Sequence, residues 1–200
     1  MEFPLVTEAE FLAAATLTQG LPEATLPEIA FAGRSNVGKS SLLNTMLSRN
    51  KLVRTSRTPG CTRQINLFRA KVKDGPEVVF TDLPGFGYAK RSKGEKVSWG
   101  AMIEGYLLGR EALRALVLLV DVRRGIEEDD AQLIEFWEQT NKPVVVVATK
   151  IDKIPASKRR LEVVALGKAS NQRVIGFSAD SGEGRTELWK KLLAILTPEA

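Results

Sequence analysis

Gly33-Arg34-Ser35-Asn36-Val37-Gly38-Lys39-Ser40 stands between a short apolar run, Glu28 to Ala32, and a segment of helical period, Lys39 to Leu47. A glycine-containing loop that ends in Lys-Ser, follows a strand and opens a helix has the form of a phosphate-binding loop. Its glycines let backbone N–H groups face a concavity suited to α- and β-phosphates, and the helix N-terminus adds its positive end. Lys39 can then reach the β- and γ-phosphates, Ser40 can ligate Mg²⁺, and Ser41 follows in the same first turn. The plainer alternative is a tight strand-to-helix turn with a solvent-facing lysine, against which both flanking elements argue.

Outward from this loop, short apolar runs alternate with helical segments, the pattern of βα units and a mainly parallel sheet. Strands are expected at Glu28 to Ala32, Ile65 to Val72, Glu77 to Thr81, Ala115 to Val120, Val144 to Ala148 and Val174 to Phe177. The Lys73-Asp74-Gly75-Pro76 turn is short enough to make the second and third of these an antiparallel hairpin. Helices are expected at Lys39 to Leu47, about Val97 to Arg110, Glu127 to Gln139, Ser157 to Lys168 and Thr186 to Leu196. Their apolar stripes, such as Leu188, Leu192, Ile195 and Leu196, belong to the core. Thr7 to Leu17 reads as a short extra helix in an N-terminal extension, residues 1–22, ahead of a single domain over 23–200. The expected class is therefore α/β: a six-stranded mixed sheet, mostly parallel with one antiparallel hairpin, and helices on both faces.

The 200 residues are 44% apolar and 26% charged, an ordinary globular composition. A chain of this length buries about 70% of its unfolded surface and needs no disulfide or metal to hold a core. Twenty-nine Lys and Arg against 24 Asp and Glu give a net charge of +5, which permits a polyanionic partner, although solvated lysines give the same sum. The absence of histidine excludes Ser-His-Asp triads, His-zinc sites and imidazole acid–base pairs. With one cysteine, Cys61, and a start, Met1-Glu2-Phe3-Pro4, unlike a secretory signal, the expected location is the cytoplasm. The longest apolar runs, Ala115 to Val120 and Pro143 to Ala148, fall far short of the roughly 18 residues of a membrane span, so no membrane contact is expected.

Further motifs fall at the carboxyl ends of expected strands, where open α/β sheets place ligands. Asp82-Leu83-Pro84-Gly85 closes the third strand; its carboxylate can hold a Mg²⁺ water and the Gly85 N–H can meet a γ-phosphate. Alone, this pattern is common turn chemistry, and it gains meaning from the phosphate loop upstream. Thr149-Lys150-Ile151-Asp152 and Ser178-Ala179-Asp180 end the next strands. The Asp152 carboxylate can accept from guanine N1 and its 2-amino group, which adenine cannot offer; Lys150 can pack across the base and the Ala179 N–H can meet guanine O6. The order of these motifs favours this reading over an exposed turn with incidental charges.

With these residues in place, the chain resembles the translation-factor-related GTPases, and within them the EngB (YsxC/YihA) family of ribosome biogenesis GTP-binding proteins. The resemblance covers nearly the whole chain. It is carried by Thr58-Pro59-Gly60-Cys61-Thr62-Arg63-Gln64-Ile65-Asn66 and by Asp82-Leu83-Pro84-Gly85-Phe86-Gly87-Tyr88-Ala89-Lys90, supported by Trp99, Tyr106-Leu107 and Asp121-Val122-Arg123. Cys61 stands where the family leads one to expect a basic residue, and Arg63 where a glutamine is expected.

The resemblance implies a Ras-like P-loop GTPase that binds GTP or GDP with Mg²⁺. Gly60, Cys61, Thr62, Arg63 and Gln64 would form the loop over the phosphates. Thr62 would join Ser40 at the metal, with Thr58 the rival hydroxyl, and Lys39, Thr62 and Gly85 would be the catalytic set. Phe86 stands where a Ras-type GTPase has a water-orienting glutamine, so slow hydrolysis stimulated by a partner or a cation is expected. Asn36 occupies a position that helps hold a K⁺ ion in several related GTPases; ordinary loop hydrogen bonding is the alternative. The implied partner is the large ribosomal subunit or its precursor, its rRNA and proteins, with a link to cell division and septation. A monomer is expected, and no DNA partner. Two basic clusters could contact rRNA: Lys90, Arg91, Lys93 and Lys96, then Lys153, Lys158, Arg159 and Arg160. Glu127 to Asp130 reads as charge favouring a helix N-terminus. Rival readings are a nucleotide kinase or ATPase, which Asp152 with Ser178-Ala179 opposes, and a signalling switch acting on a protein effector, which Phe86 opposes.

Overall fold

The computed structural model describes residues 6–53, 64–86 and 93–197, the stretch 93–99 as backbone only. Its strands are β1 (Val6–Ala15), β2 (Glu28–Gly33), β3 (Ile65–Val72), β4 (Glu77–Asp82), β5 (Leu113–Asp121), β6 (Val144–Thr149) and β7 (Val174–Phe177). Its α-helices are α1 (Lys39–Met46), α2 (Lys93–Gly109), α3 (Glu128–Glu138), α4 (Ala156–Ser170) and α5 (Arg185–Leu196). One sheet of seven strands runs in the order β1-β3-β4-β2-β5-β6-β7.

The apolar runs that fill β2 and β5 explain their central positions. Both are buried on both faces, as parallel strands under two layers of helix must be. β2 pairs in parallel with β4 and β5, β5 with β6, and β6 with β7, while β3 and β4 form the expected antiparallel hairpin. On one face, Leu42, Leu43 and Met46 of α1 and Leu188, Trp189 and Leu192 of α5 close the core; there Phe80 stacks on Trp189 with ring centroids 5.3 Å apart. On the other face the lid is formed by Ile103, Tyr106 and Leu107 of α2, Leu133, Ile134 and Trp137 of α3, and Leu166 of α4.

The N-terminal expectation fails in one respect. Val6–Ala15 is not a helix but a seventh strand, antiparallel to β3, with Phe11 opposite Phe68 and Ala15 opposite Ile65. Alanine-rich sequence favours a helix only as a weak local preference, which a tertiary partner overrides. The partner here is the outer edge of β3: Phe11 meets Phe68 edge-on at 5.7 Å, and Val6 and Ala15 are buried. Register shifts near Glu8 and Ala13 interrupt the alternation that would have marked a strand in the sequence. Among the described residues the strand count is therefore seven, not six, and α2 begins at Lys93 instead of about Val97.

Candidate functional site

All the loops of interest leave the carboxyl ends of parallel strands, and the central one is built by two glycines. A Cβ on Gly33 would stand 2.9 Å from the Leu119 carbonyl oxygen, so only glycine lets β2 turn off beside β5 here. Gly38 has φ +103°, in the left-handed region that glycine adopts without strain, and it is the N-cap of α1. It offers no side chain to cap the helix, which leaves the first N–H groups of α1 for an anion. Asn36 also turns through a left-handed conformation, φ +65°, and Val37 between them is buried as the loop's anchor.

Lys39, at the first position of α1, is buried and its ammonium contacts the Asp82 carboxylate directly, itself buried at the end of β4. Ser40 is half-buried one residue on and Ser41 is exposed. The turn after Asp82 is fastened to the phosphate loop: the Ser35 N–H donates to the Phe86 carbonyl at 3.0 Å, and the Phe86 N–H to the Gly33 carbonyl at 3.3 Å. A Cβ on Gly85 would fall 3.3 Å from the Ser35 nitrogen, so the two loops touch backbone to backbone. Leu83 and Pro84 are buried, and Phe86 turns into the core beneath the sheet.

The Thr149-Lys150-Ile151-Asp152 segment meets the same loop from the other side. The Thr149 hydroxyl, buried, lies 2.7 Å from the Val37 carbonyl. Lys150 bends the chain through φ +61° and its Nζ donates to the Asn36 carbonyl at 2.5 Å. Ile151 is buried beneath it. Asp152 is bound by the Lys153 ammonium at 2.8 Å, and that ammonium also reaches Asp180 at 2.9 Å, so one lysine joins the loops that follow β6 and β7. The hydrogen bond from Lys153, with a smaller one from Ser178, holds the Asp152 carboxyl below the usual carboxylate range and keeps it an acceptor. Ser178 is fully buried, with the Ser181 N–H donating to its hydroxyl at 3.2 Å, and the Ala179 carbonyl lies 3.4 Å from the Thr45 hydroxyl of α1.

The structure thus brings Gly33 to Ser41, Asp82 to Gly85, Thr149 to Asp152 and Ser178 to Asp180 to one end of the sheet. Thr58, Gly60, Cys61, Thr62 and Arg63 lie outside the described residues, as do Tyr88, Lys90 and Arg91; Gln64 is described and exposed. Lys93 and Lys96 are placed in the first turns of α2 by backbone alone.

Several contacts around the site escape sequence reasoning. Arg34 of the phosphate loop pairs with Glu127 and Asp129, each at 3.1 Å, so the acidic run that opens α3 also clasps the loop. The acidic run stands at the N-terminus of α3, as expected, and Glu127 and Asp130 also cap the helix reciprocally. Asp121, closing β5, lies 3.0 Å from the Lys150 ammonium. Separations of 29 to more than 90 residues hide such pairs, and only the adjacency of the strands' carboxyl ends could have hinted at them.

Residues 28–150 match the family model described as "50S ribosome-binding GTPase". Among curated proteins, the chain is 44% identical to the "Probable GTP-binding protein EngB" of an Exiguobacterium species over 96% of this chain and 98% of that one. It is 48% identical to the protein of the same description in Streptococcus pneumoniae, over 92% and 95%. Among solved structures, it is similar to one described as a probable GTP-binding protein EngB, with TM-score 0.67, 25% identity and coverage of 84% of this chain and 98% of that one. Era in complex with MgGDPNP and part of 16S ribosomal RNA gives TM-score 0.72 at 29% identity, covering 89% of this chain but only 59% of Era. On a Ras-like fold, a family model spanning most of the chain and curated relatives matched over nearly their full length, the chain belongs to the EngB family of GTP-binding proteins and is a GTPase.

Proposed function

We propose that this GTPase docks on the large ribosomal subunit or its precursor when GTP is bound, and leaves after hydrolysis, as a step of subunit assembly on which normal cell division and septation depend. The observation that carries the reading is the meeting, at one end of the sheet, of the Lys39–Asp82 pair, of Lys150 with the phosphate loop at Asn36, and of Asp152 and Asp180 through Lys153. That convergence suits phosphates at one end and a guanine at the other, and the family model's own description supports the ribosomal partner. The cytoplasm is the corresponding location.

In this reading the α1 N-terminus and the loop from Gly33 to Gly38 hold the α- and β-phosphates, Lys39 neutralises charge on the β- and γ-phosphates, and the Gly85 N–H meets the γ-phosphate. The Ser40 and Thr62 hydroxyls, with the Asp82 carboxylate acting through a water, would make an all-oxygen donor set, which fits Mg²⁺. When bound, Mg²⁺ neutralises charge on the phosphate oxygens. Asp152 reads the guanine N1 and 2-amino edge and Ala179 its O6. Hydrolysis is in-line attack of water on the γ-phosphate, and Phe86, buried in the core, leaves the orientation of that water to a partner or a cation. Asn36, exposed in the loop, offers a neutral amide oxygen suited to K⁺.

The test is co-sedimentation with large subunits in a non-hydrolysable GTP analogue and in GDP, at several salt concentrations. Binding with the analogue and release with GDP is expected, with affinity falling steeply as salt rises. Each of Lys90, Arg91, Lys93 and Lys96 changed to Ala should flatten the log–log salt slope by about one unit. Binding indifferent to the nucleotide would overturn the gated docking, and binding indifferent to those four changes would move the contact to Lys153, Lys158, Arg159 and Arg160.

A further inference from the structure

The carboxylate of Asp121 is the most densely engaged anion near the base end of the site. It is the last residue of β5, directly opposite Thr149 in the β5–β6 ladder, so its side chain stands beside Lys150. It is 5% exposed and accepts from the Arg123 N–H at 3.1 Å, from Arg123 Nε at 2.9 Å and Nη2 at 2.7 Å, and from Lys150 Nζ at 3.0 Å. Burial alone would raise its pKa, but the Arg123 and Lys150 contacts outweigh that and hold it well below the usual carboxylate range. It therefore carries a full negative charge at neutral pH.

Lys150 has three N–H donors, of which one goes to the Asn36 carbonyl and one to Asp121. Its stem crosses the phosphate loop, with Cε 3.6 Å from where a Cβ on Gly38 would stand. A lysine side chain otherwise samples many rotamers, and fixing it beforehand removes an ordering cost from the binding step. We propose that Asp121 is a positioning residue for guanine-nucleotide binding, acting through Lys150 by fixing its stem across the phosphate loop in the pose that packs on the base. The proposal rests on the guanine site described above. Asp121 itself touches no nucleotide atom in this scheme; it sets where Lys150 lies.

The experiment is a double-mutant cycle on the full chain, read by the dissociation constant for a fluorescent N-methylanthraniloyl GDP, with thermal unfolding recorded for each variant. Asp121→Asn keeps the shape and removes the charge, and is expected to weaken binding about fivefold to tenfold. Lys150→Ala weakens binding on its own, and adding Asp121→Asn to it should cost nothing further. Equal losses from Asp121→Asn in both backgrounds would show a general structural effect and overturn the proposal, as would unchanged affinity in the single variant. Arg123→Ala, at a half-exposed side chain, leaves the Asp121–Lys150 contact in place and should keep affinity within about twofold. A loss as large as that of Asp121→Asn would assign the effect to the Arg123 fork instead and contradict the proposal, even if Asp121→Asn did not fold. Failure of the unaltered protein to bind labelled GDP would overturn the guanine site itself, a result distinct from binding that survives Asp121→Asn.

Discussion

Arg110 grips Glu28 with Nη2 2.7 Å from one carboxylate oxygen and Nε within 3.1 Å of both, a charge pair sealed between the C-terminal end of α2 and the first residue of β2. Glu28 is 1% exposed. The Tyr106 hydroxyl completes the arrangement, 2.7 Å from Glu28 and 2.7 Å from the Thr81 hydroxyl, one residue before Asp82. The far end of α2 is thereby moored to β2 and β4, and the third Arg110 nitrogen, Nη1, donates to the Pro22 carbonyl at 2.8 Å.

Breaking this pair from one side leaves a buried charge without its partner. Arg110→Met is expected to lower unfolding free energy by about 3–5 kcal/mol, and Tyr106→Phe by about 1–3 kcal/mol. The double change Glu28→Gln with Arg110→Met should lie closer to the unaltered protein than Arg110→Met alone. Urea unfolding checks this, and an Arg110→Met variant within about 1 kcal/mol of the unaltered protein would show that Glu28 finds another partner or water.

Asp130 gives the fold a pH dependence of known sign. Burial pushes its carboxyl up to about 6 from an ordinary 3.8, against the smaller pull of the Glu127 N–H and of Arg34, while Glu127 and Asp129 reinforce the rise. Between these values the folded chain holds the proton that the unfolded chain has lost. This group's contribution is therefore full below about pH 4 and falls away as the pH rises through 6, a change of about 3 kcal/mol. Asp130→Asn removes the dependence, so its stability relative to the unaltered protein should rise between about pH 4.5 and pH 7.5 in urea titrations. A constant offset across that range would contradict the assignment.

Much of this arrangement was legible in the sequence because local patterns reported it. The apolar runs of β2, β5 and β6 are long enough to mark doubly covered strands, and Gly33, Gly38 and Lys39 fall at spacings that only a strand–loop–helix junction explains. What stayed hidden is tertiary. Val6–Ala15 lacks a clean alternation and becomes a strand only because β3 offers an unpaired edge. Glu28 is marked by the sequence only as the first residue of a strand, and its partner Arg110 lies 82 residues away. Arg34 and Asp121 were visible as motif members, but their partners, at the start of α3 and just past the end of β6, depend on which strands are neighbours.

Asn36 is the residue through which the proposed cation effect is checked. Turnover measured in KCl and in NaCl at one ionic strength should be faster in KCl, because a monovalent cation near the phosphates supplies charge stabilisation that Phe86 cannot. Asn36→Ala should remove most of the difference. Equal rates in the two salts, or a stimulation that survives Asn36→Ala, would leave Asn36 as ordinary loop structure.

The central claim, that this pocket reads guanine through Asp152, is tested most directly by exchanging the hydrogen-bond character of that one group. Asp152→Asn offers a donor where the carboxylate only accepts, and xanthine presents a carbonyl where guanine presents its 2-amino group. Competition against labelled GDP, run with GTP, ATP and XTP for both proteins, reads the result. The unaltered chain should prefer GTP over XTP and ignore ATP, and Asp152→Asn should reverse the preference to XTP. A variant that keeps its affinity for GTP, or an unaltered chain that binds ATP as well as GTP, would contradict the account.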